Sequence, residues 1–450
     1  MSDTVILNAH IVNEKRQFEG DIRIREGRIH TIASQLSPLP GETVIDAQGG
    51  YILPGMIDDQ VHFREPGLTH KGDIMSESAA AVAGGITSFM EMPNTVPPTL
   101  DRQALETKYH SARNRAWANY AFYMGASHSN YAALDSIDAT SCPGIKIFMG
   151  SSTGDMLVDD PKILAHIFRN AHLPIITHCE DTPTIEAQLS AHIARYGQDG
   201  LRADMHPDIR SRAACLHSTR YAIDLAKKYQ ARLHVLHIST ADELALFPPG
   251  PLVDADGKRC KNITAETCIH FLHFARPDYA RLGTRIKCNP AIKELHDKEA
   301  LIDALNTDVI DILATDHAPH TLAEKNQPYA NAPSGLPLVQ DALVMAMELV
   351  LQGRMQITTL VEKCAHAPAR LFDIPDRGFL REGYWADLVL VHPTPHTIER
   401  SHVLAKCGWS PFEGQQVQST IASTWVNGQH VWNGSQLQGS PAGLRLQFAR

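Results

Sequence analysis

At 450 residues the chain exceeds one minimal domain and has room for a barrel of about 250–300 residues plus a smaller module. Its 41 basic and 50 acidic side chains give a formal net charge of −9 with no basic run, which argues against a nucleic-acid partner. No stretch reaches the roughly 18 apolar residues of a membrane span, and no basic segment followed by an apolar run marks a secretory leader. The eight cysteines are scattered without a CxxC pair. A core this size needs no disulfide framework, so reduced thiols in a cytoplasmic protein are expected.

The first 50 residues read as short strands. "TVILNAHIV", "GDIRIREGRIHTI" and "ETVIDAQGGYILPG" alternate or cluster β-branched residues between Gly and Asn turn signals. The middle alternates short apolar runs with longer helical patterns. The expected strands are Ile52–Asp58, Ile86–Met92, Tyr120–Met124, Gly144–Phe148, Pro174–His178, Leu233–His237, Ile263–Glu266 and Ile310–Ala314. "RQALETKYHSARNRA" and "SRAACLHSTRYAIDLAKKYQ" are helix-like segments between them. Strands alternating with helices in this way predict an α/β fold, a (β/α)8 TIM-like barrel. The C-terminal end returns to strands, "ADLVLVHP" and "IASTWVNGQHVWNG", with Asn427-Gly428 at the centre of a tight hairpin. Residues 1–54 and 376–450 are thus expected to form one small composite β domain, and 55–375 the barrel.

Polar residues suited to chemistry cluster at the C-terminal ends of the apolar runs, where a barrel builds its site. His178 in "LPIITHCED" and His237 in "RLHVLHIST" each end a run. They read either as zinc ligands or as hydrogen-bonded histidines of the rim. His234, three residues before His237, is expected to face the other way. Asp316 in "IDILATDHAPH" follows the last strand, as a ligand and proton carrier or as a helix N-cap. Lys146 in "PGIKIFMGSSTG" sits inside an apolar run. It is either a neutral amine able to take up carbon dioxide as a carbamate or a lysine snorkelling to the mouth. "DDQVHFREPG" places Gln60 and His62 two residues apart, where a His-x-His pair is the common way to grip a metal. An amide oxygen is a poor zinc ligand, so Gln60 weakens that corner or serves only as a hydrogen-bonding neighbour. Arg64, Asn94 and His320 supply donors for an anion, which points to a small acidic substrate.

Taken together, "ATDHAPHTLAEK" (314–325), "HFREPG", "GGITSFMEMPNT", "KIFMGSS", "ITHCED", "LHISTADE", "AETCIHFL" and "DRGFLREGYWADLVLV" resemble the dihydroorotases of the amidohydrolase superfamily, in order and over nearly the whole chain. "ETCIHFL" is also similar to hydantoinases and allantoinases. The resemblance implies a metal-dependent hydrolase with one or two zinc ions. It implies the interconversion of N-carbamoyl-L-aspartate and L-dihydroorotate in pyrimidine synthesis. It implies metal-site positions at His62, Lys146 as a carbamate, His178, His237 and Asp316, with Asp316 also moving the proton. Arg64, Asn94 and His320 are then expected to hold the substrate carboxylate, and Asn289 in "KCNPAIK" to stand near the ring. A homo-oligomer, dimer or tetramer, is expected. Another cyclic-amide hydrolase, such as a hydantoinase or allantoinase, is one alternative; Gln60 departs from the pattern and motivates a second, a non-catalytic partner of aspartate transcarbamoylase. "EKNQPYANAPSG" is the candidate loop over the site.

Overall fold

The computed structural model describes residues 3–150 and 156–450; Ser151 and Ser152 of the "KIFMGSS" motif lie outside the described residues. Eight parallel strands form the centre. They are β1 (Met56–Val61), β2 (Ile86–Glu91), β3 (Asn119–Phe122), β4 (Ile145–Phe148), β5 (Ile175–His178), β6 (Leu233–Val235), β7 (Ile263–Cys268) and β8 (Ile312–Ala314). Neighbours pair in sequence order. The pair Met124–Gly125 extends the third strand to meet Ile145–Lys146 of β4. Between β8 and β1 the ring closes through a Val61–His317 bridge, and His62 donates its backbone N–H to the His317 carbonyl at 2.7 Å. This is the expected barrel.

The expected first strand, Ile52–Asp58, is in fact two. Tyr51–Pro54 belongs to an outer sheet, while β1 starts at Met56 and runs on through Gln60. Gly55 makes the break possible: a Cβ there would lie 2.2 Å from Thr87 of β2. The outer sheet joins both ends of the chain. Its order is Gln429–Trp432, Thr420–Val426, Leu388–His392, Tyr51–Pro54, Thr4–Asn13, Arg16–Arg25 and Arg28–Ala33, with Thr43–Asp46 also beside Thr4–Asn13. The expected hairpin is present, with Asn427 at φ 51° and Gly428 at φ 74°, the left-handed pair a type I′ turn requires.

Phe63, Phe89, Phe122, Tyr120 and Tyr109 pack as one aromatic group beside the first three strands, with 4.4 Å between the Phe63 and Phe89 rings. All eight cysteines are free thiols. Among the described residues no helix is long and apolar enough to cross a membrane.

Candidate active site

The C-terminal ends of the strands converge on a cleft of about 100 Å³ lined by Gln60, His62, Arg64, Asn94, Lys146, Phe148, His178, His237, Asn289, Asp316 and Ser334, among others. Nine of the ten residues singled out in the sequence are therefore together. The tenth, His320, stands behind Arg64: its Nε2 lies 3.0 Å from an Arg64 terminal nitrogen, and the Arg64 Nε donates to the Pro319 carbonyl. His320 thus orients the guanidinium rather than lining the cleft. Burial draws Arg64 down to about 10, which leaves it cationic at neutral pH. From the candidate loop, Ser334 and Gly335 reach the cleft wall, while Lys325 is buried and donates to the Lys287 and Pro333 carbonyls.

Three cleft residues sit in left-handed backbone, Arg64 (φ 72°), His237 (φ 41°) and Asp316 (φ 51°). Each such non-glycine residue costs about 1–3 kcal/mol, and strain of this kind gathers where side chains must be aimed. Asp316 does not start a helix, so the capping alternative falls away. Its Oδ1 instead accepts from the Gln60 amide at 3.0 Å and faces the His62 Nε2 at 3.2 Å.

At one pole of the cleft, the His62 Nδ1 lies 2.8 Å from the Asn94 side-chain oxygen. That contact puts the ring proton on Nδ1 and turns the bare Nε2 toward Asp316. Burial lowers the His62 pKa, so the ring is neutral at physiological pH and a lone pair faces a carboxylate. At the other pole the His178 Nε2 donates to Glu180, 2.9 Å away, and its Nδ1 meets the His237 Nε2 at 2.9 Å. Burial likewise lowers both rings. Neutral imidazoles, a carboxylate and a fixed second partner on His178 make a donor set that suits a divalent cation.

Lys146 is fully buried, which excludes snorkelling. Burial draws its amine down to about 7, against the pull of Asp316 and Glu266. At neutral pH about half of it is then the free, nucleophilic amine.

Several residues went unnoticed in the sequence. Glu180 anchors His178 and is itself paired with Arg210; its position two residues after a strand-end histidine was the available signal. Asp58 accepts from the Thr315 hydroxyl and backbone, tying β1 to the Asp316 turn. His234 was expected to face away from His237. It faces into the barrel, 3.3 Å from both Asp59 and Glu266. Strand β6 ends at Val235, so counting by twos fails before His237.

Comparison with known proteins agrees with this geometry. Residues 51–431 match the model of the Amidohydrolase family. A dihydroorotase of Methanosarcina mazei is 30% identical over 98% of this chain and 96% of its own length. One of Halobacterium salinarum is 32% identical over 92% and 93%. Among solved structures, an L-hydantoinase (dihydropyrimidinase) of Arthrobacter aurescens superposes with a TM-score of 0.90 at 26% identity, covering 99% of this chain and all of that one. The chain belongs to the amidohydrolase family, as a metal-dependent hydrolase built on a (β/α)8 barrel with a β domain.

Proposed function

We propose that this chain is a dihydroorotase, interconverting N-carbamoyl-L-aspartate and L-dihydroorotate in pyrimidine biosynthesis. The observation that carries the reading is a buried cationic Arg64 sharing one small cleft with Asn94, Asp316 and the strand-end histidines. The near-full-length similarity to proteins named dihydroorotase supports it.

In the ring-opening direction, Arg64 and Asn94 hold the substrate carboxylate. His320 keeps the guanidinium in place from behind, and Asn289 stands at the wall beside the ring. With the His62 ring taken by its oxygen, the Asn94 amide is left to donate. This positioning supplies much of the rate, because a fixed carboxylate fixes the amide carbonyl as well. His62, Lys146 as its carbamate, His178, His237 and Asp316 would hold zinc, one ion or two, with Gln60 a weak ligand or none. Bound there, zinc would polarise the amide carbonyl and acidify the attacking water. As the water oxygen bonds to the carbonyl carbon and the ring C–N bond breaks, Asp316 takes the water proton and returns it to the ring nitrogen. Loss of both the anion clamp and the proton carrier would leave a cleft with no reason for its shape.

The division at 54/55 and 375/376, a cytoplasmic location and a homo-oligomeric state, dimer or tetramer, belong to the same reading; light scattering checks the last. The decisive experiment compares turnover of dihydroorotate, hydantoin and allantoin by the purified, zinc-supplemented chain. We expect dihydroorotate to be preferred. Preference for hydantoin or allantoin would replace the reading with another cyclic-amide hydrolase. No turnover, together with co-purification of an aspartate transcarbamoylase, would replace it with the partner role.

A further inference from the structure

Below the cleft, inside the barrel, lies a second group of side chains that the proposed reaction does not use. Asp59 comes from β1, His234 from β6 and Glu266 from β7. Strands β1 and β6 are not neighbours, so their contact at 3.3 Å crosses the barrel interior. All three residues are buried. One ligand atom from each, an imidazole nitrogen and two carboxylate oxygens, lies within 4.8 Å of the others.

The hydrogen bonding fixes which face of His234 looks into this group. Thr264 donates its hydroxyl proton to the Leu233 carbonyl at 3.1 Å, so toward His234 its oxygen can only accept. The His234 Nδ1, 2.8 Å away, therefore carries a proton. The Nε2 is left aimed between Asp59 Oδ2 and Glu266 Oε2, 3.3 Å from each. Neither Asp59 carboxylate oxygen has a hydrogen-bond partner, although both are buried. A neutral ring would direct a lone pair at two anions, which is repulsive. Burial and the neighbouring Asp59 carboxylate push the Glu266 carboxyl well above the usual range, so the group needs a proton, on the ring or on Glu266, or a metal ion to be stable.

We propose that Asp59, His234 and Glu266 form a second divalent-cation site in the barrel interior, separate from the cleft above it. Ligands at about 2.0–2.2 Å around a tetrahedral ion stand roughly 3.4 Å apart, close to the two separations at Nε2. A dication with one neutral imidazole and two carboxylates is also electrically balanced. The Thr264 oxygen on Nδ1 is the outer partner that ligating histidines ordinarily have. Manganese and zinc suit this mixed nitrogen and oxygen set. The site would brace the cleft, because the other Glu266 oxygen accepts the His237 backbone N–H at 3.2 Å.

A proton is the competing occupant. Burial disfavours charge on His234, but the nearness of the Asp59 and Glu266 carboxyls outweighs it and lifts the ring to about 9. Anomalous diffraction separates the two. Crystals of the full-length chain, grown with manganese chloride and measured at a wavelength where manganese scatters, are expected to show a peak among Asp59, His234 and Glu266. Absence of that peak in crystals with a peak in the cleft overturns the proposal, whatever the activity. Metal analysis of Asp59→Asn, a near-isosteric change, should lose one equivalent per chain relative to wild type; unchanged content counts against the site. If Asp59→Asn does not fold, the diffraction result on wild type stands alone. Turnover of dihydroorotate enters neither readout, so the functional reading can fail without this one.

Discussion

Gln60 presents an N–H to the Asp316 oxygen that also faces His62, where a second imidazole would present a lone pair. The amide therefore serves that carboxylate as a hydrogen-bond donor and competes with a cation for it. Replacing it, Gln60→His should raise the metal retained after dialysis against a chelator without abolishing turnover; equal metal in both proteins would remove any ligand role from position 60. Glu180 acts one residue further out. It accepts the hydrogen bond of the His178 Nε2–H, which leaves the lone pair on Nδ1 to bind, and Arg210 holds it ionised. For Glu180→Gln we expect metal affinity about 10–100-fold weaker by competition titration, with the fold intact by circular dichroism. Most of the residues that line the cleft were legible, because strand-end position marks a side chain as facing the mouth. What was hidden is instructive. Asp59 reads as one more polar residue in "DDQVHFREPG". β1 pairs irregularly with β2 between Asp58 and Val61, and Asp59 within that stretch meets His234 across the barrel. Irregular pairing of that kind leaves no trace in the alternation of apolar residues.

Strands and turns were less exactly readable than the residues they carry. The apolar run from Ile52 to Asp58 gave no hint that Gly55 hands the chain from one sheet to another. That glycine is required by the approach of Thr87, a contact distant in sequence. The turn after β1 is built the same way. It carries Arg64 at φ 72° and then Gly67 at φ 86°, whose missing Cβ would fall 2.1 Å from the Val96 carbonyl oxygen. The backbone N–H of Val96 in turn donates to the Pro66 carbonyl at 3.2 Å. The loops after β1 and β2, which bring Arg64 and Asn94 to the cleft, are thus packed backbone to backbone. Any side chain at position 67 must push them apart. Gly67→Ala is expected to raise KM for the anionic substrate by about tenfold or more while metal content stays at the wild-type level. A metal loss matching the loss of activity would mean the turn supports the ligands instead. A shift of roughly 1 Å at an anion clamp is enough for such an effect.

Across the whole molecule, the two chain ends meet the barrel through buried polar contacts rather than apolar surface alone. Asp387, next to the outer-sheet strand Leu388–His392, accepts from the Asn119 side chain on β3 and the Asn427 backbone, and pairs with buried Arg377. Asp387→Ala strands that guanidinium, at a cost of about 3–5 kcal/mol, and should lower the melting temperature by several degrees. Unchanged melting would show that the outer sheet needs no such tie. Asp341 makes a second tie with the opposite charge preference. It precedes the helix Ala342–Leu351 and accepts the Ser410 hydroxyl at 2.5 Å, joining the barrel to the C-terminal segment. Burial lifts its carboxyl to about 6, from an ordinary value near 3.8, despite the Ser410 hydrogen bond. The folded state therefore prefers Asp341 protonated. That contribution is fully present below the ordinary carboxylate range and is lost as pH rises through about 6. At pH 8 the buried charge costs up to about 3 kcal/mol, taking 1.36 kcal/mol for each pH unit. Asn at this position stays neutral and still accepts from Ser410. The difference in melting temperature between Asp341→Asn and wild type should then be near zero at about pH 3, grow in favour of the variant between about pH 4 and 6, and level off by about pH 7. A difference that does not change with pH would mean that Asp341 is ionised in the fold and that its tie to Ser410 is an ordinary charged hydrogen bond.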